Sequence, residues 1–268
     1  MVTVEIITIG NELLLGDTLD TNTQWLCRTF TGLGGRVERA VLVRDDRPAI
    51  VREIRGALER RVHLLVTSGG LGPTDDDLTL DAVAQALDRP LILDERALAL
   101  VRATYERLAA AGSVADARLT ESRLKMARLP QGAEPVENPV GAAPGVLLRL
   151  ERTMLISLPG VPAELKAIVT GPLRSVLQEL FGAGVFRERE LIALCQDETV
   201  LAPILREVSR RHPDIYIKSR AREFGADVRF RITLSLSGRD PTLVEARLEE
   251  AMRDLRDALA RAHIETAA

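Results

Sequence analysis

The chain has 268 residues, 46% hydrophobic and 28% charged, with a formal net charge of −3. That length suits one large or two modest domains, and the balance is that of an ordinary soluble globular protein. Only 3% of residues are aromatic and there is no basic run, which argues against nucleic acid as a partner. Cys27 and Cys195 stand far apart in unlike contexts and support neither a disulfide framework nor a zinc site. No apolar run approaches the roughly 20 residues that span a bilayer. The N-terminus enters an apolar segment with no basic stretch before it. The expectation is a cytoplasmic protein with no membrane partner.

Residues 4–9 form an apolar run ending at Gly10-Asn11-Glu12, the pattern of a buried parallel strand. Asp20-Thr21-Asn22 offers caps for a helix through about Leu33, stopped by Gly34-Gly35. Val37 to Val43 reads as a second strand, and Ile50, Ile54, Ala57 and Leu58 make the apolar stripe of a helix. Val62 to Val66 reads as a third strand, and Leu78 to Leu87 as a helix. Such alternation predicts a parallel sheet covered by helices. Residues 94–127 read as helical with a break near Gly112-Ser113. Strands are expected at Val146 to Leu150 and Met154 to Leu158, around a turn at Glu151-Arg152. One long helix then starts at Pro162, with Leu165, Ile168, Val169, Leu173, Val176, Leu177 and Leu180 on one face.

Gly182-Ala183-Gly184 is the expected boundary, giving domains 1–182 and 183–268. Beyond it come a strand at 186–195, a helix at 198–211 and a strand from Asp214 to Ser219. Val228, Phe230, Ile232, Leu234 and Leu236 then alternate with polar residues, and a helix runs from Pro241 to about Ala262. The order β-α-β-β-α predicts a small two-layer α+β domain.

The segment Thr67 to Thr79 carries the strongest chemical signal. Gly69, Gly70 and Gly72 between a strand and a helix start let backbone N–H groups of the turn, with Ser68, Pro73 and Thr74, approach an anion. Asp75, Asp76 and Asp77 follow at once. They would repel a bare phosphate but accept one bridged by a divalent cation such as magnesium. The plain alternative is that they cap the helix, for which one aspartate suffices. Gly10, Asn11 and Glu12 lie just past the first strand, where ligands of open α/β sheets bind; Glu12 is a candidate base, and Asn11 and Asn22 are candidate ligand donors. An ordinary turn with a solvated glutamate is the competing reading. Asn138 to Gly145 reads by default as a rigid turn, and Gly160 sits at a strand end before a helix start. His63, within an apolar run, is expected to be a core histidine. Lys218, Arg220 and Arg222 read as a solvated basic loop.

Taken together, these segments resemble the molybdopterin-binding-like (MoCF) domain of the CinA, or competence/damage-inducible protein A, family. The residues that carry the resemblance are Gly10 to Leu14 with Asp20-Thr21-Asn22, Gly69 to Thr79, Asn138-Pro139 through Pro144-Gly145, and Pro159 to Glu164. The resemblance implies a Rossmann-like three-layer α/β/α domain followed by the smaller α+β domain, and a homo-oligomer, with a dimer expected. It implies a divalent-metal-dependent ADP-ribose pyrophosphatase, with Asp75, Asp77 and Glu12 in the chemistry and Asp75 to Asp77 on the metal. Gly10, Asn11, Asn22, Ser68, Gly69, Gly70, Gly72, Pro73, Thr74, Thr79, Asn138, Gly141, Pro144 and Gly160 would hold a nucleotide or pterin phosphate. Related MoCF domains bind molybdopterin, so a binding protein without turnover is the second reading, and an interaction scaffold the third. The adenylylating branch commonly carries Arg where this chain has Asp76, which weakens that assignment. The sequence shows no counterpart of the family's deamidase domain, so deamidase activity is not expected.

Overall fold

The computed structural model describes residues 1–182, 184–195, 197–221 and 229–267. Ala183 of the expected boundary, Arg222 of the basic segment and Val228 of the alternating strand lie outside the described residues. The chain divides into two compact units. One comprises Val2–Phe30 with Gly35–Leu180; the other comprises Phe181–Ala268 with Met1 and Thr31–Gly34.

Through residue 181 the elements run β1 (Thr3–Ile9), α1 (Asn11–Leu15), α2 (Thr21–Gly32), β2 (Arg36–Val43), α3 (Arg47–Glu59), β3 (Leu64–Ser68), α4 (Thr79–Ala86) and β4 (Leu91–Leu93). They continue with α5 (Glu95–Ala110), α6 (Glu121–Lys125), β5 (Arg128–Pro130), β6 (Glu134–Val136), β7 (Gly145–Arg149), β8 (Met154–Leu158), α7 (Pro162–Thr170) and α8 (Arg174–Phe181). Six strands form one sheet in the order β2-β1-β3-β8-β7-β6. Central strands β1 and β3 are buried on both faces, which is why their sequences read as near-continuous apolar runs. On one face Ile7, Ile9, Leu65 and Leu155 meet Ile50, Ile54 and Ala57 of α3 and Ala82, Val83 and Ala86 of α4. On the other, Thr8 and Thr23 of α2 share a 2.6 Å hydrogen bond, and Asn22 of α2 donates to Ser68. Helices therefore cover both faces.

Several expectations need correction. The sheet is not all parallel: β7 runs antiparallel to β8, and β6 antiparallel to β7. Too few residues separate β7 from β8 for a parallel crossover, which needs a dozen or more. The long helix after Pro162 is two, α7 and α8, because Pro172 brings no N–H to continue the ladder past Gly171. The helical stretch 94–127 ends at Ala110, with Gly112 at a positive φ of 70°, and resumes only as the single-turn α6. The turn after β1 is wound into α1 and closed by Gly16 at φ 81°. His63 is exposed, not core: it precedes β3 and shares a 2.8 Å hydrogen bond with the Thr3 hydroxyl.

In the other unit β9 (Val185–Leu194), α9 (Glu198–Arg211), β10 (Tyr216–Ala221), β11 (Arg229–Gly238), α10 (Pro241–Arg261) and β12 (Glu265–Ala267) form an antiparallel sheet, ordered β10-β11-β9-β12, with two helices. Phe230, Ile232 and Leu234 pack with Leu201, Val208, Val244, Leu248 and Leu255. Strand β12 was not anticipated. Lys218 and Arg220 sit on β10, an exposed edge strand and not a loop.

A buried ion pair fastens α3 to the sheet. Glu5 is 3% exposed, and its two carboxylate oxygens each accept from Arg60 at 2.7 Å. Removing the guanidinium strands a buried carboxylate, a change that costs about 3–5 kcal/mol when both partners are fully buried. Arg60 is 41% exposed, so water offsets part of that loss. Arg60→Ala is expected to destabilise the protein by about 2–3 kcal/mol, read as a lower urea midpoint at unchanged slope.

Candidate active site

Strands β1, β3 and β8 run parallel, so the loops leaving their C-terminal ends share one edge of the sheet. These loops are crowded. The Gly69 amide donates to Leu158 O at 2.9 Å, and a Cβ on Gly69 would stand 2.1 Å from Ile9 O. Gly69 and Gly70 take φ values of 103° and 67°, which L side chains rarely adopt. The fully buried Thr79 at the head of α4 ties the turn down. Its hydroxyl donates to Gly69 O at 2.7 Å and its amide to Gly70 O at 3.2 Å. The amides of Gly70, Leu71 and Gly72 donate to no acceptor among the described residues.

The three aspartates do different things. Asp77 turns inward and accepts from the Thr74 amide at 2.8 Å and its hydroxyl at 2.6 Å. Asp76 is held below the ordinary aspartate range, first by the Thr74 hydroxyl, then by its own amide and the Lys125 ammonium. That hydroxyl has one proton and gives it to Asp77, so the two carboxylates compete for it. Asp75 is exposed. The Lys125 ammonium donates to Thr74 O, which anchors α6 to the loop.

Beneath the loop lies a cavity of about 520 Å³. Its described lining includes Gly10, Glu12, Gly69, Gly70, Gly72, Pro73, Asp76, Asp77 and Gly160 from the sequence-derived set. Asn11, Asn22, Ser68, Thr74, Asp75, Thr79, Asn138, Gly141 and Pro144 fall outside that lining. Most of these are fasteners. The Asn11 amide donates to Asp45 at 2.8 Å, and Asn22 Nδ2 donates to Gly160 O at 2.7 Å, bringing α2 to the β8 loop. Asn22 and Ser68 border a separate small cavity of about 70 Å³. The buried Asn138 donates to Ala143 O and to Glu164, and accepts from the Gly141 amide at 2.8 Å. It thus folds the expected rigid turn around itself.

Sequence reasoning passed over Asp45, Tyr105 and Met126 in this lining, and assigned no role to Glu164. Asp45 had a signal: it follows the end of β2 as Glu12 follows the end of β1. Its carboxyl is pushed above the ordinary range by burial, with the Glu12 and Asp76 charges adding and the Asn11 amide opposing. Tyr105 comes from α5 and Met126 from the C-cap of α6, and neither belongs to a local motif. Five carboxylates, Glu12, Asp45, Asp76, Asp77 and Glu164, therefore line the cavity, with no lysine or arginine in its described lining. Among the described residues, no three His, Cys, Asp or Glu side chains converge closely enough to hold a metal alone.

An elevated pKa means that the fold disfavours ionised Asp45, so stability is lost as pH rises through its folded pKa. Asp45→Asn is expected to be more stable than the parent near pH 7 and equal to it well below about pH 4, where both groups are neutral. Urea midpoints at the two pH values measure this.

A family model described as a probable molybdopterin binding domain matches residues 5–179. A protein of Aeropyrum pernix is 44% identical over 246 residues, 91% of this chain and 88% of its own length. One of Thermococcus kodakarensis is 43% identical over 221 residues, covering 82% and 86%. The crystal structure of the protein CinA, of unknown function, from Thermoplasma acidophilum aligns with a TM-score of 0.59 and 39% identity, over 65% of this chain and 97% of that one. With the domain matched across well over half its length, the chain belongs to the probable molybdopterin binding domain family as a CinA-like member.

Proposed function

We propose that the protein is a divalent-cation-dependent hydrolase of a nucleoside-diphosphate sugar, with ADP-ribose as the type substrate. One observation carries this reading: unpaired backbone amides at Gly70, Leu71 and Gly72 share a cavity with five carboxylates and no lining cation. The amides invite a phosphate and the carboxylates repel it. A hard divalent ion reconciles the two, because magnesium takes one or two protein carboxylates and completes its shell with water and substrate phosphates. The donor set fits that mode, which needs no three-residue cluster. One or two of Asp45, Asp76 and Asp77 would hold the ion, and Asp75, outside the lining, drops out of the set. When bound, such an ion neutralises charge on the pyrophosphate and activates water.

The chain's own residues do the rest. Amides of the glycine turn hold the phosphate oxygens. Glu12, whose carboxylate lies over Gly10 in the cavity lining, would take the proton of a water that attacks phosphorus as the bridging P–O bond breaks, releasing AMP and ribose 5-phosphate. Asp77 keeps the turn closed by accepting from Thr74. The cavity volume suits a ligand of this size. The family description favours a second reading, in which a pterin or nucleotide phosphate is bound without turnover.

Incubation with ADP-ribose and Mg²⁺ or Mn²⁺ is expected to yield AMP and ribose 5-phosphate, and EDTA to abolish it. Asp76→Asn is expected to lower kcat at least about 100-fold with unchanged melting temperature, the scale of losing one group that stabilises transition-state charge. Calorimetric binding with no product under either metal selects the second reading. Absence of both binding and turnover overturns the two together.

A further inference from the structure

The cavity is two-sided. Glu12, Asp45 and the glycine turn make one wall, whereas Leu71, Tyr105, Met126, Ala142 and Ala143 make an apolar one. That second wall is the open rim of a core cluster: Leu71, Met126 and Ala143 are buried in it, with Tyr105 and Ala142 packed against it. Tyr105 is the sole aromatic in the described lining, in a chain with only two tyrosines. It is also held still. The Arg123 guanidinium lies 3.9 Å from its ring centroid and is itself locked by hydrogen bonds to Asp116 O and Arg118 O at 2.9 and 2.7 Å. The Asp116 carboxylate stands 3.5 Å from it. The Arg123 side chain is only 16% exposed, so it serves the ring more than the solvent. On the same short helix, Lys125 fastens the glycine turn.

A ligand made only of phosphate and sugar would leave the Tyr105–Met126 wall wet. Resting on the reading of the cavity as a phosphate site, we propose that Tyr105 is its specificity-determining platform, receiving the flat heteroaromatic ring of the ligand. The ring that either ligand of that reading carries, purine or pterin, would rest there, and a ringless pyrophosphate would gain nothing from this wall. Arg123 is a positioning residue: with the guanidinium 3.9 Å from its centroid, the ring is preorganised and little motion is lost when a ligand meets it.

The test compares affinities for AMP, neopterin monophosphate and inorganic pyrophosphate, each with Mg²⁺, by calorimetry. Base–aromatic stacking is worth about 1–3 kcal/mol, or roughly 5- to 150-fold in affinity. Tyr105→Leu, which keeps apolar bulk, is expected to weaken the better ring ligand about 10- to 100-fold and pyrophosphate less than about 3-fold. Tyr105→Phe is expected to retain most of the parent's ring affinity, and Arg123→Met to lower it with pyrophosphate binding kept. A parent preference for AMP marks a nucleotide site and one for neopterin monophosphate a pterin site; both support the platform. Equal losses for ring and ringless ligands in Tyr105→Leu overturn it. A parent that binds pyrophosphate but neither ring ligand overturns the platform and leaves the phosphate reading standing. Binding of none of the three overturns both.

Discussion

The ends of β1 and β3 approach so closely that the loop between β3 and α4 has no room for a side chain at Gly69. A methyl there would overlap the Ile9 carbonyl. The contact follows from parallel neighbours: strands hydrogen-bonded in register must release their loops at the same level, and those loops compete for space. Glycine resolves the conflict and turns the chain through a positive φ at the cavity edge, where the next three amides have no acceptor among the described residues. Thr79 then fixes the turn from below.

Those carboxylates are costly in the free protein. Asp45 is half-buried beside Glu12 and Asp76, and its raised pKa expresses that conflict. Cationic groups are close but are kept off the lining. Lys125 donates to the Thr74 carbonyl, and Arg123 lies over Tyr105. On the reading proposed above, a lining whose charged groups are all acidic is electrostatically unfavourable until a cation completes it. Binding such a cation would relieve the strain as well as attract a phosphate, which couples ion and ligand in one site.

Much of this was legible in the sequence, and the limits have physical causes. The strand–helix alternation, the glycine turn and the loops at 10–12 and 159–160 are local patterns, so periodicity and turn chemistry revealed them. The antiparallel β7–β8 pairing was legible in principle, from the short connection between the strands. The fasteners were harder. Asn22, Ser68, Thr79 and Asn138 carry donors of the kind a ligand needs, but their partners are backbone carbonyls and neighbouring side chains. Nothing local in a sequence separates an asparagine that holds a loop from one that holds a ligand. Tyr105 and Met126 were invisible for the opposite reason. They lie in a stretch that reads only as helical, and only tertiary folding brings them to the edge of the cavity.

The run Asp75-Asp76-Asp77 first posed a choice between capping and binding, and the geometry divides it. Asp77 closes the Thr74 turn, Asp76 joins the cavity beside Lys125, and Asp75 faces solvent. None of the three caps α4, whose N-cap is Leu78 with no side-chain cap hydrogen bond, so the run divides instead between closing the turn and lining the cavity. Asp77 accepts from the amide and the hydroxyl of Thr74, which fixes the path of the residues between them and with it the position of Asp76. Losing the Asp77 carboxylate would loosen the turn before it altered any ligand contact. Losing the Asp76 carboxylate would leave the turn intact and change only the charge that faces the cavity.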